Sequence, residues 1–289
     1  MLDLTEVTPL RFTGGPAREN EYLLSPFAYA AGHEVFVRAV PRRDDEPARK
    51  ISRAFHGRSA DGIAFELDAE PAIMPGPDPF DLGGVEDPTV VEDAGTLHVF
   101  YSGWDGVAGR STMLRAAGPH AGALVKFGAV LPPDALPAKE PTLVRRDGGW
   151  TMFYEVERDA ASLNASATAT SLLGPWTLGD DVLRPRPDHF DDYHLSPVAF
   201  VRAPDGTRVL IYNGATRDGR WQIAWCALDE KCGRVLARAD APVIEASRNA
   251  QDQRELAFGA SVVVNGDGLY VYYSIADTNP ARAALRWRP

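Results

Sequence analysis

One strand pattern recurs five times along this 289-residue chain, and no other feature constrains its fold as much. Each copy opens on a small or acidic residue, usually followed by proline, then runs into hydrophobic residues, a polar turn and an aromatic-rich second strand. The copies begin Ser25-Pro26-Phe27, Asp87-Pro88-Thr89, Glu140-Pro141-Thr142, Ser196-Pro197-Val198 and Ala260-Ser261-Val262. Repetition at roughly 60 residues means radially stacked sheets, because each unit must bury its apolar face on its neighbour. Period-2 alternation rich in β-branched and aromatic residues marks the second strands, as in Thr96-Leu97-His98-Val99-Phe100-Tyr101 and Leu269-Tyr270-Val271-Tyr272-Tyr273. Asp147-Gly148-Gly149, Asp205-Gly206 and Asn265-Gly266-Asp267-Gly268 supply the positive φ angles of tight hairpins. The sequence therefore predicts an all-β fold, a five-bladed β-propeller occupying residues 1–289 as a single domain. Alanine-rich Asp159 to Thr170 comes nearest to a helix. Ser and Thr alternate with Ala there, which assigns Asn164 to Ala169 to the third strand of the central blade. Pro41 to Lys50 reads as a charged, proline-containing loop.

In a propeller the first strand of every blade lines the axis, so all five strand starts converge at one mouth. Asp87, Glu140, His194 and Asp277 can thereby share a pocket while lying far apart in sequence. A net charge of −10 argues against nucleic acid or an anionic membrane surface as a partner, since both call for a basic face. No run approaches the ~20 apolar residues that span a bilayer. Met1-Leu2-Asp3-Leu4-Thr5-Glu6 lacks the basic-then-apolar pattern of a secretion signal, so cytoplasmic residence is the expectation.

Cys226 and Cys232 are too few for a disulfide scaffold or a cysteine-only zinc site. They flank Asp229-Glu230-Lys231, which resembles a hairpin tip, so they could face each other across two strands as reduced, inert thiols. Asp188, His189, Asp191, Asp192 and His194 lie close together, a spacing that on a loop usually means solvated carboxylates. No metal and no cofactor is expected. Neither a Gly-x-Ser-x-Gly elbow nor a Gly-rich phosphate cradle occurs.

With the blades laid out, the chain resembles glycoside hydrolase family 130, the β-mannoside phosphorylases and β-mannosidases, in order through nearly its whole length. Arg38 and Ser59-Ala60-Asp61-Gly62 resemble the family's first-blade arginine and turn, and Gly84-Val85-Glu86-Asp87-Pro88 matches its signature. Leu210-Ile211-Tyr212-Asn213-Gly214, Arg234 to Arg238 with Ala241-Pro242-Val243-Ile244, and Leu269 to Tyr273 through Ala276-Asp277-Thr278 resemble later family strands. The resemblance implies that Asp87 is the catalytic acid, its proton reaching the glycosidic oxygen through a hydroxyl of the mannose itself. It also implies that Asp277 binds the sugar at the −1 subsite, with Arg38 and Asp61 in contact. One departure stands out. Phosphorylases of the family carry Arg directly after Glu-Asp-Pro, as part of a cationic phosphate site, and here that position is Thr89. The second strand of the third blade, basic in phosphorylases, reads Phe153-Tyr154-Glu155-Val156-Glu157. A carboxylate there repels phosphate at close range and suits a base that activates water.

Inverting glycoside cleavage needs one protonated and one ionised carboxyl, roughly 6.5–9.5 Å apart, so that water fits between them. Asp87 as acid and Glu155 as base form the favoured pair, with Glu140 and Glu255 as rival bases. Each also has a plainer reading: an Asp-Pro strand start capping a turn for Asp87, a solvated strand end for Glu155. Glu86 is adjacent to Asp87 but points to the opposite face of a regular strand, and reads equally as structural. His194 lies at the expected mouth and could hydrogen-bond a sugar hydroxyl, and Asn213 is a further candidate ligand. Tyr101, Trp104, Tyr193 and Trp221 are candidate platforms for the apolar C–H faces of pyranose rings. Tyr212, Tyr272 and Phe100 read as core. The expected activity is inverting hydrolysis of β-mannosidic linkages in short manno-oligosaccharides, with an oligosaccharide as the partner. The alternatives are phosphorolysis with inorganic phosphate as nucleophile, or a non-catalytic carbohydrate-binding propeller.

Overall fold

Strand by strand, the chain folds back on its own preceding segment and builds five sheets around one axis. The structure is a computed structural model and describes residues 2–15, 21–41, 51–135, 137–247 and 255–288. The expected loop from Pro41 to Lys50 lies, beyond Pro41, outside the described residues. β1 (Leu2–Pro9) and β2 (Arg11–Gly14) precede the first blade, which holds β3 (Glu21–Tyr29), β4 (Glu34–Pro41), β5 (Arg53–Ser59) and β6 (Ala64–Leu67). The second holds β7 (Gly84–Asp93), β8 (Thr96–Trp104), β9 (Ser111–Gly118) and β10 (Val125–Ala129). The third holds β11 (Ala138–Arg146), β12 (Gly149–Arg158), β13 (Ala161–Ala169) and β14 (Thr177–Leu183). The fourth holds β15 (His194–Arg202), β16 (Arg208–Ala215), β17 (Trp221–Leu228) and β18 (Val235–Arg238), and the fifth β19 (Ala257–Asn265), β20 (Gly268–Ile275) and β21 (Asn279–Trp287).

β3, β7, β11, β15 and β19 are innermost. Each touches the inner strand of the next blade, and β19 returns to β3, which closes the ring. The fold is the five-bladed β-propeller that the repeat predicts. Its alanine-rich segment is strand β13, as expected. Among the described residues there is no α-helix, and so none long and apolar enough to cross a membrane.

The fifth blade contributes only three strands of its own. Its fourth is β1, antiparallel to β21, with Leu2 opposite Trp287 and Pro9 opposite Ala281. Closing a ring with the chain's opposite end covers the edge that the last strand would otherwise expose. β2 then runs parallel to β6 and widens the first blade to five strands.

Every inner strand carries one irregularity in its pairing, and it falls at the repeat start. In the first three blades two residues, Ser25-Pro26, Asp87-Pro88 and Glu140-Pro141, oppose a single residue of the second strand. Proline has no N–H to give a ladder, so within a sheet it belongs at such a bulge. The residue before each proline is left-handed, with φ of 51° at Ser25, 46° at Asp87 and 52° at Glu140. Side chains other than glycine avoid that region, and strain of this kind collects at functional sites.

The hydrophobic core lies between blades. Phe100, Met113, Met152, Tyr154 and Ala165 fill the space between the second and third, and Val209, Ile211, Val271, Tyr273 and Ala283 that between the fourth and fifth. Phe100 is fully buried with Trp176 edge-on at 6.5 Å, so truncating it to alanine costs about 3–5 kcal/mol. Cys226 and Cys232 are free and both buried between the third and fourth blades. They do not face each other: the cross-strand partner of Cys226 is Arg238. Burial pushes the Cys226 thiol up to about 12, which keeps it protonated and inert.

Candidate active site

The five bulges meet at one axial cavity. Ser25, Asp87, Glu140, Pro197 and Ala260, one from each blade, stand on its wall with Pro88, Thr89, Pro141, Phe258 and Gly259. The strand geometry that delivers Asp87 begins at Gly84, whose φ is 151° and where a Cβ would stand 2.5 Å from Ser52 Oγ. Only glycine lets β7 start against Ser52.

Equivalent positions on four of the five second strands reach from one blade toward the bulge of the next. Ser274 Oγ accepts the Ser25 N–H at 2.9 Å, and Ser102 Oγ accepts the Glu140 N–H at 3.1 Å. Asn213 Oδ1 accepts the Gly259 N–H at 2.7 Å while its amide donates to Gly259 O at 3.0 Å. In these three blades the position is a latch that satisfies backbone groups at or beside the bulge. The other two carry charge: Arg38 in the first blade and Glu155 in the third.

Arg38 pairs with Glu86, and its Nη1 lies 4.0 Å from Asp87 Oδ1. Ser25 Oγ donates to the same Asp87 oxygen at 2.6 Å. Lys139 Nζ lies 3.3 Å from Glu155 Oε1 and 3.8 Å from Glu140 Oε1. Ser196 donates to Glu140 Oε2. Glu155 is buried, and its Oε2 has no hydrogen-bond partner. Four carboxyls therefore gather around two cations, Arg38 and Lys139, in a setting largely withdrawn from water. Burial opposes the Arg38 charge, but Glu86, Asp87, Asp277 and Glu140 hold its pKa above the ordinary arginine value. The Glu155 carboxylate, ahead of Glu140 and Asp87, holds Lys139 above the usual lysine range. Burial first, then the Glu155 charge, pushes Glu140 well above the carboxylate range, and burial also raises Glu86 against the pull of Arg38. Buried carboxyls crowded around too few cations hold protons more tightly than free ones. That is the material of acid–base chemistry.

His194 opens β15 with its Nδ1 3.2 Å from Ser162 Oγ, and burial lowers its pKa. Its ring stacks on Trp221 at 5.6 Å, Tyr193 meets its edge at 4.5 Å, and Trp221 meets Phe258 at 4.9 Å. These rings form a continuous wall that ends at the cavity, since Phe258 lines it. Asp277 follows β20 with a φ of 61°, and its charge acts on Arg38 and Glu86.

Several sequence candidates are placed elsewhere. Tyr101 is in the core, its hydroxyl donating to the buried Asp81 at 3.0 Å, and is no platform. It stands opposite the Asp87-Pro88 bulge, where the extra residue breaks the simple alternation of faces. Asn213 spends its amide on the Gly259 latch and is fully buried. Asp61 lies at the opposite end of the first blade. β4 runs from Glu34, paired with Arg58, to Arg38, paired with Ala54, so four residues or about 13 Å separate Arg38 from the end that carries Ser59 to Asp61. The Asp61 carboxylate there accepts the Ala64 and Ile63 N–H groups at 2.8 and 2.9 Å, which lowers it to about 2. Glu255 lies outside the cavity wall and pairs with Arg220 at 2.6 Å. Trp104 ends β8 and packs over Gly83 and Gly109, also away from the wall.

The acidic loop before β15 is not solvated throughout. Asp191 is fully buried and bound by Arg186 at 3.1 Å, Arg238 at 2.5 Å and the Tyr212 hydroxyl at 2.7 Å. Among the described residues no cluster of His, Cys, Asp or Glu is placed to hold a metal ion. Thr89, where phosphorylases carry arginine, is buried and donates to Pro141 O at 2.6 Å, joining the second and third blades. Lys139, Ser162 and Phe258 escaped the sequence reading, which named Ser196 only as a repeat start. A signal for Lys139 exists, because it occupies the same position before x-Pro as Glu86, one blade on.

No family model matches the chain. A β-1,2-mannobiose phosphorylase of Listeria innocua is 24% identical over 239 residues, which cover 79% of this chain and 65% of the relative. The chain thus matches just under two thirds of that relative's length. The solved complex of a β-1,2-mannobiose phosphorylase from Listeria innocua with β-1,2-mannobiose superimposes with a TM-score of 0.79 at 18% identity, over 99% of this chain and 96% of the other. A structure from the family 130 mannoside phosphorylases, among which are glycoside hydrolases that target β-1,2 mannosidic linkages in Candida mannan, gives 0.80 at 22%, over 93% and 85%. By fold, the structural neighbours of this chain are the mannoside phosphorylases and glycoside hydrolases of glycoside hydrolase family 130.

Proposed function

We propose that this protein is an inverting glycoside hydrolase that cleaves β-mannosidic linkages in short manno-oligosaccharides. The observation that carries the reading is the axial cavity, where Asp87 and Glu140 share one wall beside the Lys139–Glu155 pair. Asp87 is assigned as the acid. It is held by Ser25 and Arg38, and as in the resemblance its proton passes to the glycosidic oxygen through a hydroxyl of the sugar. Glu155 is assigned as the base. Lys139 holds its Oε1 at 3.3 Å, and its unpaired Oε2 is an acceptor for a proton of the attacking water. Protonation of the leaving oxygen and deprotonation of water on the opposite face give inversion. Arg38 and Asp277 are assigned to the sugar at the cleaved end, and the wall from Tyr193 to Phe258 to a neighbouring ring.

Phosphorolysis is the second reading, favoured by one observation: Lys139 puts a cation beside Glu140 and Glu155. Both of its near neighbours are carboxylates, however, and Thr89 adds none of the charge that phosphate needs. The test is product analysis on β-1,2-mannobiose and other β-linked mannobioses, with and without inorganic phosphate. Free mannose without phosphate, first released as the α-anomer, is expected. Mannose 1-phosphate appearing only with phosphate would replace this assignment with the second. With Asp87→Asn, loss of turnover and retained sugar binding separate an enzyme from a non-catalytic carbohydrate-binding propeller.

A further inference from the structure

A second cluster of charge lies at the other end of the blades, between the third and fourth, away from the axial site. The β11–β12 turn, the β15–β16 turn and the connection from Asp229 to Arg234 border an open groove. It carries five cationic side chains against two carboxylates, Asp147 and Glu230, in a chain whose net charge is −10. Val144, Phe200 and the buried Cys232 pack as its apolar floor.

The arginines are not neutralised by their surroundings. Arg202 and Arg208 are direct cross-strand partners, an arrangement in which like charges repel. Among the described residues no carboxylate comes within ion-pair distance of either. Two further carboxylates nearby are turned onto their own loops: Asp205 accepts the Thr207 N–H at 2.9 Å, and Asp229 accepts those of Gly233 at 2.9 Å and Arg234 at 3.2 Å. From the third blade Arg146 donates to two main-chain carbonyls, Lys231 and Glu230, which fixes its guanidinium at the groove without cancelling its charge. The same three arginines reach Cys232: burial raises that thiol, and Arg146, Arg208 and Arg202 pull it back. Arg145, by contrast, is committed to Asp93 at 2.7 Å and lies over Trp150.

We propose that Arg146, Arg202 and Arg208 form a binding site for the phosphate group of a small molecule, separate from the axial cavity. Guanidinium groups present paired N–H donors that match phosphate oxygens, and three of them around one anion remove the mutual repulsion. The apolar floor suits the body of a compact ligand. A nucleic acid would meet the negative field of the rest of the surface.

The experiment is isothermal titration of the intact protein with pyrophosphate, and in parallel arms with inorganic phosphate and a hexose 6-phosphate, at about 0.15 M salt. Saturable one-to-one binding is expected in at least one arm. Arg202→Gln/Arg208→Gln should weaken it by about tenfold or more, because each guanidinium supplies charge-assisted hydrogen bonds. Asp87→Asn should leave it unchanged. Tighter binding of the hexose phosphate assigns the floor to a sugar, and equal binding assigns the bare anion. Binding that survives the double variant and falls with Asp87→Asn places the anion in the axial cavity and overturns the proposal, as does no binding in any arm. The double variant is checked by its circular-dichroism melt. Should it not fold, Arg202→Gln alone, at an exposed position, gives the same comparison.

Discussion

Ser25 on the first inner strand donates its hydroxyl to Asp87 on the second, at 2.6 Å, so the carboxyl assigned as the acid is held from a neighbouring blade. The donor is itself fixed, because the Ser25 N–H is bound to Ser274 Oγ of the fifth blade. Three blades thus position one functional atom.

Replacing that hydroxyl tests the arrangement. A hydrogen bond contributes about 0.5–1.5 kcal/mol, so Ser25→Ala should lower kcat/KM by about 2- to 10-fold. The backbone bond to Ser274 does not involve the side chain, and the melting temperature should move little. Steady-state kinetics and a thermal melt check this. Unchanged kinetics would mean that Arg38 alone positions Asp87.

Glu140 gives a prediction about stability and pH. Its carboxyl is raised by burial and by the Glu155 charge, so between the unfolded and folded pKa the folded state binds more protons than the unfolded. Stability therefore falls as pH rises through that window. Glu140→Gln cannot ionise and still offers Ser196 an acceptor. The variant should melt higher than the wild type, by a margin that grows from pH 5 to pH 8. Each kcal/mol is worth about 2–4 °C in domains approaching this size. A margin that shrinks as pH rises would mean that the Glu140 charge is compensated by Lys139.

Asp61 and Arg38 were paired by resemblance and separated by the fold. Asp61 caps its own turn at the far end of the blade, so Asp61→Ala should leave kcat and KM within about twofold, as surface positions away from a site do. A large rise in KM would show that substrate reaches that end.

The repeat was legible because its punctuation is local. A proline at the repeat start of four blades and an Asp-Gly or Asn-Gly at the hairpin of three act within a few residues, and they mark the blades without knowledge of the rest. What depended on closure was not legible. β1 pairs with β21, and Thr5 bonds Ala284 across 279 residues, a contact that no window of the sequence contains. Asp87 and Glu140 were visible because x-Pro starts carry them to the axis, and Glu155 and Asp277 only through the family resemblance. Ser162 and Lys139 were not, because both are unremarkable strand residues until neighbouring blades meet, and Ser196 was visible as a repeat start but not as the partner of Glu140. Tyr101 was misplaced for a further reason. Its place near the end of a strand suggested a platform, but opposite the bulge its side chain is buried and bonded to Asp81.

The five equivalent second-strand positions allow a last, paired test. Ser102, Asn213 and Ser274 latch one blade to the next, whereas Glu155 occupies the same position and keeps an oxygen unpaired. Scaffold and chemistry should therefore separate by position. Asn213→Ala leaves the N–H and C=O of Gly259 without partners, at a cost of about 1–3 kcal/mol each, and should lower the denaturation midpoint clearly. Glu155→Ser installs the residue type that serves as latch in two other blades, and it removes a buried charge while Glu140 remains beside Lys139. It should fold with a midpoint near the wild-type value and lose turnover by about 10²–10⁴-fold, the usual worth of a general base. Denaturant titration and kinetics on both variants decide the matter. If Glu155→Ser is destabilised as much as Asn213→Ala and retains turnover, Glu155 is one more latch and the base lies elsewhere, with Glu140 the nearest carboxyl on the cavity wall.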